Sequence, residues 1–256
     1  MDRRNFVKYT AMGAVSMYIN PFNIRSASHK VDLAYAGIQL YTVRQEMEAD
    51  PVGTLSAIKA IDYSHVEGAS YDKRRFYGQP KENFKRIVED QGLKMFSNHI
   101  SFGKPGNKDE YDMQNNWEQV CEDAAYMGQK YIVCPWLPQE VRNTIDDYKR
   151  TAQLLNKCGA QAKKYGLTLC YHNHAFEFTP IGKIQPFDIL LNETESDLVK
   201  FELDIYWTHR AGVNTKKFIK KNKGRFPLFH VKDMENSSDK SFVEVGTGVI
   251  DWKKMF

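Results

Sequence analysis

The sequence has little that would mark a redox protein or a metal-cluster protein. It carries four cysteines, Cys121, Cys134, Cys158 and Cys170, and no two of them form a C-x-x-C pair. That spacing gives no support to thiolate metal sites or disulfide-exchange motifs. Cys134 and Cys170 fall in strand-like apolar runs, where a thiol acts as a small buried hydrophobe. A long hydrophobic run is also missing. The modestly apolar stretch from Tyr9 to Ile19 has eleven residues, against the ~20 needed to cross a bilayer core, so no stable membrane anchor is expected. An excess of one charge is lacking too. The formal net charge is +4, but Arg3, Arg4, Lys8 and Arg25 against Asp2 place +3 of it in residues 1–28. The near-neutral remainder leaves no electrostatic footprint for nucleic acid. Finally, no glycine-rich phosphate loop follows the first predicted strand, which argues against a dinucleotide-binding open sheet.

What is present is enough apolar material for one sizeable core: 256 residues, 42% hydrophobic and 27% charged. Such a length commonly forms a single α/β barrel domain. The start, "MDRRNFVKYTAMGAVSMYI", has the charged region and apolar region of a signal peptide, and Ser26, Ala27 and Ser28 supply small residues for cleavage. "RRNFVK" resembles the twin-arginine export signal, which carries folded proteins across a bacterial inner membrane. The expectation is a leader over residues 1–28, a barrel over residues 29–256 and a periplasmic location.

Beyond residue 30, short apolar runs alternate with longer amphipathic ones. Strands are predicted at 36–43, 64–70, 94–101, 131–136, 167–174, 199–207 and 226–234, with helices over 51–61, 80–90, 115–127, 147–165 and 215–223. Strand starts lie 27 to 37 residues apart, the spacing of a βα unit with parallel strands buried on both faces. The architecture expected is a (β/α)8 barrel whose eighth strand-helix unit is missing from this chain.

In such a barrel the active site lies at the C-terminal ends of the strands. The polar residues there are Gln39 and Tyr41; Glu67; His99; His172, His174 and Glu177; Asp204, Tyr206 and Trp207; and His230, Lys232 and Asp233. Charged groups in apolar strands are costly unless they pair or bind a ligand. Gathered at one end, they offer carboxylates and imidazoles to a divalent cation. "HNH" at 172–174 also occurs in nucleases, but there it belongs to a ββα-metal context absent here. "GTG" at 246–248 is too short to specify a phosphate cradle, and Asp251 reads as the N-cap of a helix starting at Trp252.

"YHNHAFEF", "ELDIYW", "FHVKD" and "VGTGVIDW", in that order, together with the upstream "GIQLYTVRQEMEADPVGTLSAIKAI" and "GLKMFSNHISFG", resemble the sugar phosphate isomerase/epimerase group of xylose-isomerase-like barrels. The resemblance covers residues 36–256. It implies a divalent ion (manganese, zinc or magnesium) held here by Glu177, with His174 as the alternative in that register, and by Asp204 and His230. The family's fourth ligand, a glutamate on strand eight, has no counterpart.

That ligand set implies polarisation of a sugar carbonyl and its neighbouring hydroxyl, with removal of the α-proton to give an enediolate. Glu177 is then ligand and candidate base, while His172, His174 and Lys232 are assigned to proton shuttling or substrate hydroxyls. Gln39 and His99 are expected to bind substrate, and Trp136 and Trp207 offer flat faces to a sugar ring. Isomerisation or epimerisation is the first reading. A lyase acting on a 3-keto-glycoside is the close alternative, favoured by export, and a noncatalytic sugar-binding barrel is the third. The partner is a small sugar or glycoside; a homo-oligomer is allowed but not specified. Seven units without an eighth lead to the expectation of a truncated reading frame, roughly 30 residues short by the spacing of one βα unit. An open slot should then lie between the first and seventh predicted strands.

Overall fold

The computed structural model describes Val15–Tyr18, as backbone only, and residues 36–255. Eight strands close into a barrel: β1 (Val15–Tyr18), β2 (Ala36–Gln39), β3 (His65–Gly68), β4 (Lys94–His99), β5 (Tyr131–Cys134), β6 (Thr168–His172), β7 (Val199–Asp204) and β8 (Leu228–Val231). β2 to β8 are the seven predicted strands, and each sequence neighbour pairs parallel with the next. Helices Pro51–Ala60, Lys81–Asp90, Trp117–Tyr126, Ile145–Lys164 and Thr215–Lys221 fall where amphipathic spacing placed them.

Side-chain alternation sorts each strand into two faces. Leu169, Tyr171, Phe201 and Leu203 point outward and pack with Leu155, Phe187 and Leu190 of the helices in one large core. Ile38, Val66 and Met95 anchor a second core with Leu55, Phe84 and Val88. Inside the barrel, Tyr131, Val133, Cys170 and Leu228, with Phe96 against them, form an apolar plug. The remaining lumen positions, nearer the C-terminal strand ends, are polar.

β2 and β8 are not paired with each other. The slot between them is not open, however. β1 lies antiparallel to both, with Ser16 opposite Gly37 on one side and His230 on the other. Two facing edges with unpaired N–H and C=O groups are a strong template for a strand, and four residues satisfy both. The rest of the predicted leader, including Arg3, Arg4, the small residues at 26–28 and the boundary after residue 28, lies outside the described residues.

Two further features were not predicted. After β3 the chain makes a three-stranded antiparallel excursion, Tyr71–Asp72, Arg75–Phe76 and Gln79–Pro80. It is tied to the barrel by Asp123, whose buried carboxylate accepts from Arg74, Lys81 and the Tyr71 hydroxyl. After β8, a short hairpin pairs Asp233–Met234 with Phe242–Val243. As expected, Asp251 caps the helix Trp252–Met255 by accepting from Lys254 N. No helix among the described residues is long and apolar enough to cross a membrane.

Candidate active site

Five buried or nearly buried groups meet above the apolar plug: Glu67 from β3, His99 from β4, His172 from β6, Glu202 from β7 and His230 from β8. Glu202 Oε2 is the hub, 2.9 Å from His172 Nδ1, 3.1 Å from His99 Nε2 and 3.1 Å from His230 Nε2. Glu67 Oε1 lies 2.7 Å from His230 Nε2 and 3.1 Å from His99 Nε2, and its other oxygen accepts from Ser97 Oγ at 2.5 Å. One ligand atom from each of His99, His172, Glu202 and His230 lies within 4.8 Å of all the others.

The electrostatics follow from burial. Burial alone would raise Glu67, but the charges of His99 and His230 and their hydrogen bonds hold it well below the usual carboxylate range. Burial and the neighbouring Glu67 push Glu202 up to about 7, against the pull of the histidines. His99 would be lowered by burial, yet the two glutamates carry it up to about 10. His172 goes the other way: burial and the nearby His230 and Lys232 hold it well below its ordinary value. It is therefore neutral at physiological pH, with a ring lone pair to offer.

A second carboxylate closes the upper side. Asp204 Oδ2 pairs with Lys232 Nζ at 2.6 Å and stands 3.5 Å from His172 Nε2 and 4.0 Å from His230 Nδ1. Its Oδ1 accepts from Trp207 N at 3.0 Å, so the same residue caps the helix Ile205–Arg210. Asn173, the central residue of "HNH", brackets β6 to β7: its Oδ1 accepts from Asp204 N and its Nδ2 donates to Asp204 O. The motif therefore positions the two strand ends.

Of the residues singled out from sequence, His99, His172 and His230 are in the cluster, and Asp204 and Lys232 flank it. Gln39 touches it through Nε2, 3.3 Å from His99 Nδ1. His174 stands beside it, its ring 5.2 Å from that of His172 and stacked on Phe176 at 5.6 Å. Burial, together with the charge of Lys232, lowers it to about 4. Trp207 contacts His174 at 5.1 Å between ring centroids. Trp136 lies out on the loop after β5, 44% exposed, with the Arg142 guanidinium 5.5 Å from its ring.

Glu177 lies apart from the cluster. It sits in the short turn Phe176–Phe178, where its carboxylate accepts from Tyr171 Oη at 2.5 Å and from His174 N at 2.8 Å. Tyr171 faces the outer core, so this carboxylate belongs to the layer between barrel and helices. The acid that meets the histidines is Glu202, which was not singled out from sequence. The signal was available, because in "FELDIYW" Glu202 is two residues from Asp204 and shares its lumen-facing parity. Glu67 was seen as a strand-end acid and given no role.

Asp233 is a structural hub: it accepts from Met234 N, Gly246 N, Ile250 N and Trp252 Nε1. Its carboxylate occupies the space inside the "GTG" turn, and a Cβ on Gly248 would lie 2.3 Å from Asp233 Oδ1. That glycine is there to admit an aspartate.

A family model described as "Xylose isomerase-like TIM barrel" matches residues 55–256. Inosose dehydratase of Clostridium perfringens is 29% identical over 127 residues, 43% of this chain and 42% of that protein. The chain thus aligns with under half the length of that curated relative. A crystal structure of a sugar phosphate isomerase/epimerase from Parabacteroides distasonis superposes with a TM-score of 0.68 at 28% identity, covering 79% of this chain and 81% of that one. The IolI protein, solved with a bound zinc atom, shares the fold with a TM-score of 0.65 at 17% identity, covering 85% and 81%.

Proposed function

Because this chain belongs to the xylose isomerase-like TIM barrel family, we propose that it is a divalent-metal-dependent sugar isomerase or epimerase. It would work by moving a proton next to a sugar carbonyl. The observation that carries this reading is the convergence of His99, His172, Glu202 and His230 in one buried layer at the strand ends.

The donor set fits such an ion. Three imidazoles and a carboxylate suit zinc or manganese. Two buried atoms in the cluster, Glu202 Oε1 and His230 Nδ1, have no hydrogen-bond partner, a costly state unless another group completes it. When bound, a divalent ion supplies Lewis acidity toward a carbonyl oxygen and its neighbouring hydroxyl. Glu67 orients His230 and His99, the supporting role a carboxylate commonly plays behind a ligating histidine. Asp204 and Lys232 sit on the upper side, and Lys232 is partly open to solvent. Lys232 Nζ can donate to a sugar oxygen as charge develops there, while Asp204 Oδ2 takes or returns the proton. Gln39 and His174 supply further polar contacts to hydroxyls.

The test is proton exchange followed by NMR in deuterated water, with a panel of ketoses and keto-glycosides and the full chain as purified. Deuterium at the carbon next to the carbonyl, abolished by Asp204→Asn, is the expected result. Retention of every substrate proton across the panel would reject the proposal.

A further inference from the structure

We propose that Trp207, Phe242, His174 and Lys232 form a subsite for the second ring of a glycoside, so that the ligand is a sugar carrying a ring-bearing aglycone and not a free monosaccharide. This rests on the reading above, which seats the first sugar ring on the charged layer.

Four aromatic side chains among the described residues remain exposed: Tyr41, Tyr126, Trp136 and Phe242. Three of them, all but Tyr126, follow barrel strands at their C-terminal ends and so lie around the same mouth as the charged cluster. Scattered exposed aromatics need no explanation, whereas a patch continuous with a polar site does.

Phe242 is the exposed end of an aromatic cluster that reaches back through half-buried Trp207 and buried Tyr206. Its ring lies 4.3 Å from Tyr206 and 5.8 Å, edge-on, from Trp207. Trp207 leads to His174 at 5.1 Å, and His174 leads to the cluster residue His172 at 5.2 Å. A second path runs from Phe242 to Lys232 Nζ, 5.5 Å from the ring centre, and then to Asp204 at 2.6 Å. The aromatic wall and the charged layer are therefore two ends of one surface.

The wall is held in place before any ligand arrives. Tyr206 Oη donates to Lys240 O at 2.6 Å, and Arg210 Nη1 donates to Asp239 O at 2.8 Å and Lys240 O at 2.9 Å. These bonds fix the hairpin that carries Phe242, which lowers the ordering cost of binding.

The division of chemistry identifies the ligand class. The donor atoms of the cluster lie within 4.8 Å of one another, a size suited to one ion and the oxygens of a single sugar ring. A flat apolar face is what the aromatic wall complements, whether an aryl group or the C–H face of a second pyranose. Lys232, between the two zones, stands where the bridging oxygen of a glycoside would lie.

The test compares p-nitrophenyl glycosides (gluco and galacto) with their parent monosaccharides by calorimetry, using the full chain as purified. The wild type should bind at least one aryl glycoside about tenfold more tightly than its parent sugar, the value of one good aromatic contact. Phe242→Ala should remove most of that advantage and change monosaccharide binding less than about twofold, a difference small against one such contact. Trp207→Phe, which keeps a flat face, should retain it. Equal affinity for both ligand types, equal weakening of both by Phe242→Ala, or no binding of either would overturn the subsite. If the aryl preference and its loss in Phe242→Ala appear without proton exchange on any ketose or keto-glycoside of the panel, the subsite stands and the isomerase reading falls.

Discussion

Glu202 and Glu177 are both fully buried carboxyls, and burial pushes each up to about 7. Their surroundings give them opposite tasks. Glu202 faces the lumen, where one oxygen meets three imidazoles and the other has no partner. Glu177 faces outward, with each oxygen already taken by a hydroxyl or a backbone N–H. A raised carboxyl is thus no marker of chemistry by itself. What separates a reactive acid from a structural one is the unfilled valence and the company of ligand-type groups.

The largest effect that tests this contrast is on metal. Glu202→Gln should cut divalent-ion affinity by a hundredfold or more, on the order of the upper range for disturbing even a supporting residue, whereas Glu177→Gln should keep about one ion per chain. Elemental analysis of both purified variants decides it. Full retention in Glu202→Gln with loss in Glu177→Gln would reverse the assignment and restore the sequence-based ligand.

The next effect is on stability against pH. The folded pKa of Glu177, about 7, stands above its ordinary value of 4.5. The stability this contributes is therefore complete below pH 4.5, declines as pH rises toward 7, and is gone above it. Between pH 5 and pH 8 wild-type protein should lose about 2–3 kcal/mol relative to Glu177→Gln, by ~1.36 kcal/mol per pKa unit. Urea melts at the two pH values measure this, and a constant gap would show that Glu177 is not buried as described.

A smaller effect comes from Tyr171→Phe, which leaves one oxygen of Glu177 unpartnered in the outer layer. It should cost about 1–2 kcal/mol of stability and leave metal content unchanged. A fall in metal with this variant would tie the outer carboxyl to the site after all.

Much of this molecule was legible in its sequence, for reasons that also explain the misreadings. Parallel strands buried on both faces must be apolar runs at regular intervals, so "YIVCPW" and "FPLFHVKDM" announced β5 and β8. Within a strand, period two predicts which side chains share the lumen, and that rule brings His172, Glu202 and His230 together. The rule fails where the strand ends. Past His172 the chain turns off through a short helical turn, and counting residues no longer tells which way Glu177 points. Likewise, four residues of a leader-like segment carry no periodic signal that would mark them as β1. Their pairing depends on two edges nearly two hundred residues apart in the chain. The Asp123 anchor of the excursion at 71–80 is equally non-local, since its partners come from Tyr71, Arg74 and Lys81.

The plug of Tyr131, Val133, Cys170 and Leu228 fills the lumen beneath the charged layer. A ligand that approaches the histidines from the C-terminal strand ends meets a floor there and not a channel. On the proposed reading, substrate and product would share that approach and compete for it.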